Sequence, residues 1–241
     1  MFLAEMFGTM VLILLGDGVV ANVLLNKSKG QNAGWIVITA GWAFAVMCGV
    51  FTSAALGGPG SLNPAGEIAS IVAGGANVGT AMANIAGQFV GAILGAVLVY
   101  LAYLPHWSAT TGEGSEGLKL AVFSTGPAIR NPAANFLTEA IATFALIFIV
   151  NCILKVANNP AATVGLPPFL IGMLIWALGL SLGGPTGYAL NPARDLGPRI
   201  AHFLLPIPGK GDSDWGYSWI PVAGPIVGAI IGAVLFGIVG R

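Results

Sequence analysis

Apolar residues along this chain fall into runs of two lengths. Six runs are long enough, or nearly long enough, to span a bilayer: residues 2–25, 34–56, 78–104, 135–157, 167–182 and 215–239. Two more are about half as long, residues 64–73, stopped by Gly74-Gly75, and residues 192–205, stopped by Pro206. Ten helical residues rise only about 15 Å, half the thickness of the hydrocarbon layer. Each short run follows an irregular glycine-bearing stretch, residues 57–62 or 183–190, and opens on the same tripeptide, Asn63-Pro64-Ala65 or Asn191-Pro192-Ala193. In such a tripeptide Asn is the N-cap, and Pro stands at the first helical position, where a missing N–H costs nothing. The Asn oxygen accepts an orphan backbone N–H, and its NH₂ is left pointing outward as a donor. Irregular backbone at membrane depth survives only where protein or a water-filled cavity satisfies its polar groups, so both short elements point at a lumen. The predicted fold is an all-α membrane protein of six transmembrane helices and two re-entrant half-helices.

The chain repeats itself. Residues 86–98 match residues 223–235 at ten of thirteen positions, Ala4-Glu5 returns as Thr138-Glu139, and Gly57-Gly58-Pro59 returns as Gly183-Gly184-Pro185. Three spans per half, an odd number, force the second half to run upside down relative to the first, an inverted repeat with its binding region at the midplane. Residues 1–241 then form one channel domain, with halves at 1–104 and 133–241 and a polar connector at 105–132. The half-helices enter from opposite sides and meet by their N-termini. Gly87, Gly91 and Gly95, with Gly224, Gly228 and Gly232, are small-residue stripes that let the third and sixth spans pack closely. A third tripeptide, Asn131-Pro132-Ala133, lies outside the repeat register and runs into a full-length span, so it is read as a helix start at the membrane surface.

Composition agrees with this and narrows the function. Apolar residues make up 56% and charged residues 7%, with a mean hydropathy of +0.87, which is too little polar surface for a water-soluble monomer of this size. A net charge of zero gives no footprint for nucleic acid. His106 and His202 stand alone, so no metal-ligand cluster is expected, and no nucleophile–base pair can be assembled, so neither an enzyme nor a cofactor is expected. Cys48 and Cys152, both inside apolar runs, are expected as buried small side chains. With no basic leader or cleavage site, the first run reads as a mature first helix. A secondary transporter of a small polar solute, which also uses inverted repeats and broken helices, is the alternative to a channel.

These residues resemble the major intrinsic proteins, the aquaporin family, and within it the glycerol facilitators. The resemblance covers the whole chain and rests on the two tripeptides in inverted halves, the Glu5 and Glu139 pair, and the stretch from Gly183-Gly184-Pro185 through Asn191-Pro192-Ala193-Arg194-Asp195 to Arg199. Asp195, Arg199, Pro221-Val222 and Gly179 each follow the solute-channel choice rather than the water-channel one, a narrowing histidine being usual at the last position in water channels. The resemblance implies a homotetramer in the cell membrane with both termini cytoplasmic, passing glycerol and water. It maps the selectivity filter onto Trp42, Gly179, Tyr188 and Arg194, and the lumen carbonyls onto Gly60, Ser61, Leu62, Gly187 and Ala189. Trp42 and Tyr188 would supply an apolar corner for a carbon backbone, and Arg194 donors on the opposite side, an arrangement that suits an amphipathic polyol. Asn63 and Asn191 would donate to solute oxygens midway.

Within the resemblance, Glu5 and Glu139 hold the irregular loops, and Asp195 supports the filter helix. Ser61 stands where a histidine is common, Glu67 where a threonine is common, and Tyr188 where a phenylalanine is common. Glu67 is expected as a first-turn acid facing the helix dipole. Asp17, between Gly16 and Gly18, has three readings: a cap at a kink, a group facing the outer vestibule, or one facing the tetramer centre. Charge runs against the orientation the family implies, since Lys27, Lys29, Lys119, Arg130, Arg194, Arg199 and Lys210 fall outside and only Lys155 and Arg241 inside.

Overall fold

A computed structural model describes residues 1–157 and 166–240; Arg241 lies outside the described residues. The described residues are helical or irregular throughout. The spans are α1 (Phe2–Leu24), α2 (Trp35–Ala55), α4 (Val78–Ala102), α7 (Pro132–Ala157), α8 (Leu166–Leu182) and α10 (Ile220–Val239). Five of these are long and apolar enough to cross a membrane, and α8 contributes 17 described residues. The half-helices are α3 (Pro64–Val72) and α9 (Pro192–Leu204). Their outer neighbours carry unpaired apolar side chains such as Phe44, Phe51, Leu101, Ile141 and Ile231, as a lipid-facing wall requires.

One boundary and the connector differ from expectation for local reasons. The sixth span begins at Ile220 rather than at 215, because residues 215–219 form turns and Pro221 sets the first helical turn. The connector is not simply polar. It holds α5 (Leu104–Ala109) and α6 (Ser115–Phe123), and its Trp107 and Phe123 are fully buried and stacked 5.5 Å apart. Trp107 also stacks on Tyr100 of α4, so burying these rings draws the connector into the core.

The glycine stripes work within each half. A Cβ at Gly87, Gly91 or Gly95 would run into the main-chain carbonyl oxygens of Phe2, Met6 and Met10, so α4 lies directly on α1. Gly224, Gly228 and Gly232 bring α10 onto α7 in the same way, against Glu139, Ala140 and Phe144. Close backbone approach through small residues is how helices associate where lipid provides no hydrophobic drive. Cys152 is half-buried, whereas Cys48 is exposed on α2, contrary to the expectation of a buried thiol. Its position in an apolar run places it on the lipid-facing side, which an apolar pattern cannot separate from a core position when the solvent is also apolar.

Candidate functional site

Asn63 and Asn191 both take extended backbone and cap α3 and α9. Asn63 Oδ1 accepts the Ala65 N–H at 2.9 Å, and Asn191 Oδ1 accepts those of Ala193 at 2.9 Å and Arg194 at 3.3 Å. Each amide also reaches across the repeat: Asn63 Nδ2 donates to the Leu190 carbonyl at 2.8 Å, and Asn191 Nδ2 to the Leu62 carbonyl at 2.6 Å. One amide hydrogen of each Asn is thereby spent on fastening the halves, and one remains for the lumen. This reciprocal bond has no signal in the sequence. The Leu62 carbonyl, expected to serve solute, has the Asn191 amide as a partner.

Leu62 and Leu190, the residues before each Asn, are left-handed at φ +52° and +58°, a conformation leucine rarely adopts. Two fully buried carboxylates hold them there. Glu5 accepts from Leu62 N at 2.7 Å, Ser61 N at 3.2 Å, Ser53 Oγ at 2.7 Å and Gln88 Nε2 at 2.7 Å. Glu139 accepts from Thr186 Oγ1 at 2.7 Å, Ala189 N at 3.0 Å and Leu190 N at 3.1 Å. With their N–H groups turned to the acid, the loop carbonyls face the other way.

Between the halves runs a cavity of about 640 Å³. Trp42, Tyr188 and Arg194 line one end, Asn63 and Asn191 the middle, and Asn151, Pro167 and Phe236 contribute to the other end. Gly60, Ser61, Leu62 and Ala189 also border it, while Gly179 and Gly187 are not among its lining residues. Gly179 lies behind the Tyr188 ring, where a Cβ would come 2.8 Å from Tyr188 Cζ and 2.9 Å from Thr39 Cγ2. Its carbonyl takes the Trp35 indole N–H at 3.0 Å, and Trp35 meets Tyr188 edge-on at 5.8 Å. Trp35, which the sequence reading passed over, thus fixes the Tyr188 ring. Arg194 does not face Trp42 from across the lumen as expected: its guanidinium carbon lies 3.9 Å over the Trp42 ring, a cation–π stack. Gly16 makes room for that ring, since a Cβ there would collide with it.

Supporting groups surround α9. The fully buried Arg199 and Asp195 form a two-point ion pair, Nε to Oδ1 at 2.9 Å and Nη2 to Oδ2 at 3.1 Å. Asp195 also takes the Thr125 N–H and hydroxyl, while Arg199 donates to the Thr125 and Ser213 carbonyls. Lys210 closes the C-terminal end of α9 by donating to the carbonyls of His202, Phe203 and Leu205, the end where a cation is favoured. Glu67 is buried against α4, accepting from Asn84 Nδ2 at 3.1 Å, and is not among the lining residues. Asn131 is an exposed N-cap of α7, accepting the Ala134 N–H at 3.2 Å, and is not among the lining residues. Outside the spans, Arg130 pairs with Asp214 at 2.6 Å, which raises its pKa further.

Asn131→Ala is therefore expected to leave flux through the lumen unchanged. Asn191→Ala should cost a cap, about 1 kcal/mol, and leave the Leu62 carbonyl unpaired at about 1–3 kcal/mol more. Expression, monodispersity and osmotic flux of the two variants side by side decide this, and a flux loss specific to Asn131→Ala would sink the assignment.

Two half-helices meeting by their capped N-termini inside a bundle of inverted halves, around a lumen, define a membrane channel of the aquaporin fold. The sequence pattern of the major intrinsic protein family matches residues 1–236, and the chain belongs to that family. It is 54% identical over 224 residues to a probable glycerol uptake facilitator protein of Thermotoga maritima, covering 93% of this chain and 92% of the relative. It is 52% identical over 237 residues to glycerol uptake facilitator protein 3 of Lactiplantibacillus plantarum, covering 98% and 95%. Among solved structures, the aquaglyceroporin of Plasmodium falciparum superposes with a TM-score of 0.86 at 27% identity, over 99% of this chain and 95% of that one.

Proposed function

We propose that this chain is a passive channel for glycerol and other small neutral solutes, together with water, and that it excludes protons and ions. The observation that carries this reading is a cavity lined together by Trp42, Tyr188 and Arg194 and by Asn63 and Asn191, in a chain related to glycerol uptake facilitators. A polyol presents carbon on one side and hydroxyls on the other, and both find partners there. The carbonyls of Gly60, Ser61 and Ala189 accept its hydroxyl hydrogens, and the second amide hydrogen of Asn63 and of Asn191 serves its oxygens, so desolvation is offset step by step without a deep trap. Residues 1–241 act as one channel domain, assembled as a homotetramer in the lipid of the cell membrane, with both termini cytoplasmic and the Arg194 end outward. No catalysis and no cofactor take part.

Cation exclusion follows from the same parts. Each half-helix presents about half a positive charge at its N-terminus, and the two ends meet beside Asn63 and Asn191, with Arg194 adding a full charge at the mouth; aquaporin-type pores are the standing example of such a barrier. In proteoliposomes, glycerol flux is expected to rise linearly with gradient and to ignore ionophores, with no proton current under a potassium–valinomycin potential. Saturation at low millimolar glycerol, or collapse with an uncoupler, would favour a secondary transporter.

The filter has its own test. Gly179→His must displace the Tyr188 ring that occupies the space in front of Gly179, driving it toward the lumen. Glycerol flux is expected to fall at least about tenfold and water flux far less, a difference of about 1.4 kcal/mol in barrier. Equal losses, measured by light scattering after osmotic shock, would remove Gly179 and Tyr188 from the constriction.

A further inference from the structure

One buried carboxylate in the described residues is not tied down. Glu5, Glu139 and Asp195 are each held by several donors, and Glu67 by Asn84. Asp17 of α1 is fully buried, and neither of its oxygens has a hydrogen-bond partner among the described residues. Its nearest cation is Arg194, with Nη1 4.0 Å from Oδ1, and that Nη1 is itself buried without a partner. A carboxylate at membrane depth needs compensation, and the charge within reach belongs to the pore. The neighbouring Gly16 seats the ring on which the guanidinium stacks, so the acid stands beside that stack.

The inverted repeat supplies an internal control. Aligned on Glu5 and Glu139, α1 and α7 share Thr9 with Thr143, Leu12 with Leu146 and Ile13 with Ile147, and place Asn151 opposite Asp17. Aligned on the tripeptides, α3 and α9 place Gly66 opposite Arg194. The pair that the repeat relates to Asp17 and Arg194 is thus Asn151 and Gly66, which has neither acid nor arginine, and Asn151 is satisfied locally by the Ile147 carbonyl at 2.9 Å. A purely structural acid in the first helix of each half would have no reason to follow the arginine.

We infer that Asp17 is a positioning residue of the filter: its carboxylate draws the Arg194 guanidinium back over Trp42, away from the lumen axis, and so sets how large a solute passes. Two attractions then act in the same direction on one side chain, the ring face and the acid beyond it. Without the acid, a guanidinium whose donors are otherwise unspent turns toward the loop carbonyls across the mouth, and the opening narrows more for a polyol than for water. This inference rests on reading the Arg194 end as the selective constriction of a polyol channel.

The test is Asp17→Asn, which keeps shape and removes charge, made alone and in an Arg194→Gln background, with glycerol and water permeability measured in proteoliposomes. Alone, it is expected to lower glycerol permeability about tenfold and water permeability less than about twofold; in the Arg194→Gln background it should change either by less than about twofold, because coupled residues are non-additive. The same effect in both backgrounds, equal loss of glycerol and water, or no effect at all would overturn the inference. Should Asp17→Asn alone not yield folded protein, the double variant, which removes both charges, is expected to recover it, and failure of both would show a role independent of Arg194. If the unmodified protein passes water but no glycerol, the proposed function falls, and the positioning role is decided by the same comparison of backgrounds with the largest neutral solute that the protein does pass.

Discussion

Glu139→Ala is expected to yield no folded channel. The substitution strips acceptors from the Thr186 hydroxyl and from the Ala189 and Leu190 N–H groups, all in a buried site. Each donor left without a partner costs about 1–3 kcal/mol, so the three together approach the 5–15 kcal/mol that typically separates folded from unfolded protein. The loss also falls where the backbone can least bear it, since Leu190 is left-handed and its N–H is fastened to Glu139. Glu139→Gln is the milder probe: it keeps one oxygen but turns an NH₂ toward N–H donors, and it should fold with flux reduced about tenfold. Size-exclusion profiles in detergent and osmotic flux measure both, and a monodisperse, conducting Glu139→Ala protein would show that the carboxylate does not hold the loop.

Replacing Arg199 by Leu should be nearly as damaging, for a different reason. Its guanidinium is fully buried and joins Asp195 on α9 to the Thr125 carbonyl after α6 and the Ser213 carbonyl after α9. Removing one partner of a buried ion pair costs about 3–5 kcal/mol, which in a chain of this size lowers the melting temperature by about 10 °C or more. Arg199→Lys is expected to recover less than half of that, because an ammonium cannot reproduce the two-point contact with Asp195 while reaching two carbonyls. Thermal unfolding followed by tryptophan fluorescence gives both values. A Lys variant as stable as the unmodified chain would show that charge alone, without the planar fork, is enough.

The two predictions differ in how much of them could be read in advance. Glu139 stood out because an acid inside an apolar run repeats Glu5 in the other half, and its loop-holding part followed from the resemblance. Arg199 was visible as an ordinary charge on the filter helix, but its partners lie on segments 74 and 14 residues away, and no periodicity encodes such a meeting. Trp107 and Phe123 teach the same lesson from the apolar side: a segment dotted with Glu113, Glu116 and Lys119 reads as a solvated connector until two rings find a slot beside Tyr100.

The residues of the proposed filter show where resemblance stops short. Trp42, Tyr188 and Arg194 all line the lumen, yet Arg194 lies on Trp42 rather than facing it from the opposite side. A motif names side chains that line a lumen; their rotamers depend on neighbours such as Gly16 and Trp35, which lie elsewhere in the chain.

The sequence by itself determined the membrane as solvent, the six long runs and two half-length ones, the inversion of the halves and the capped N-termini at their meeting point. Each of these follows from local chemistry: run length against bilayer thickness, an odd number of spans, a proline where no N–H is needed. Only the tertiary structure decided what the polar groups do once there, that Asn63 and Asn191 cross-bond to Leu190 and Leu62, that Tyr188 covers Gly179, and that Asp17 is left to face Arg194. The physical reason is that a buried donor or charge must find its partner in space, and for Asn63, Asn191 and Asp17 that partner lies on the other half of the repeat.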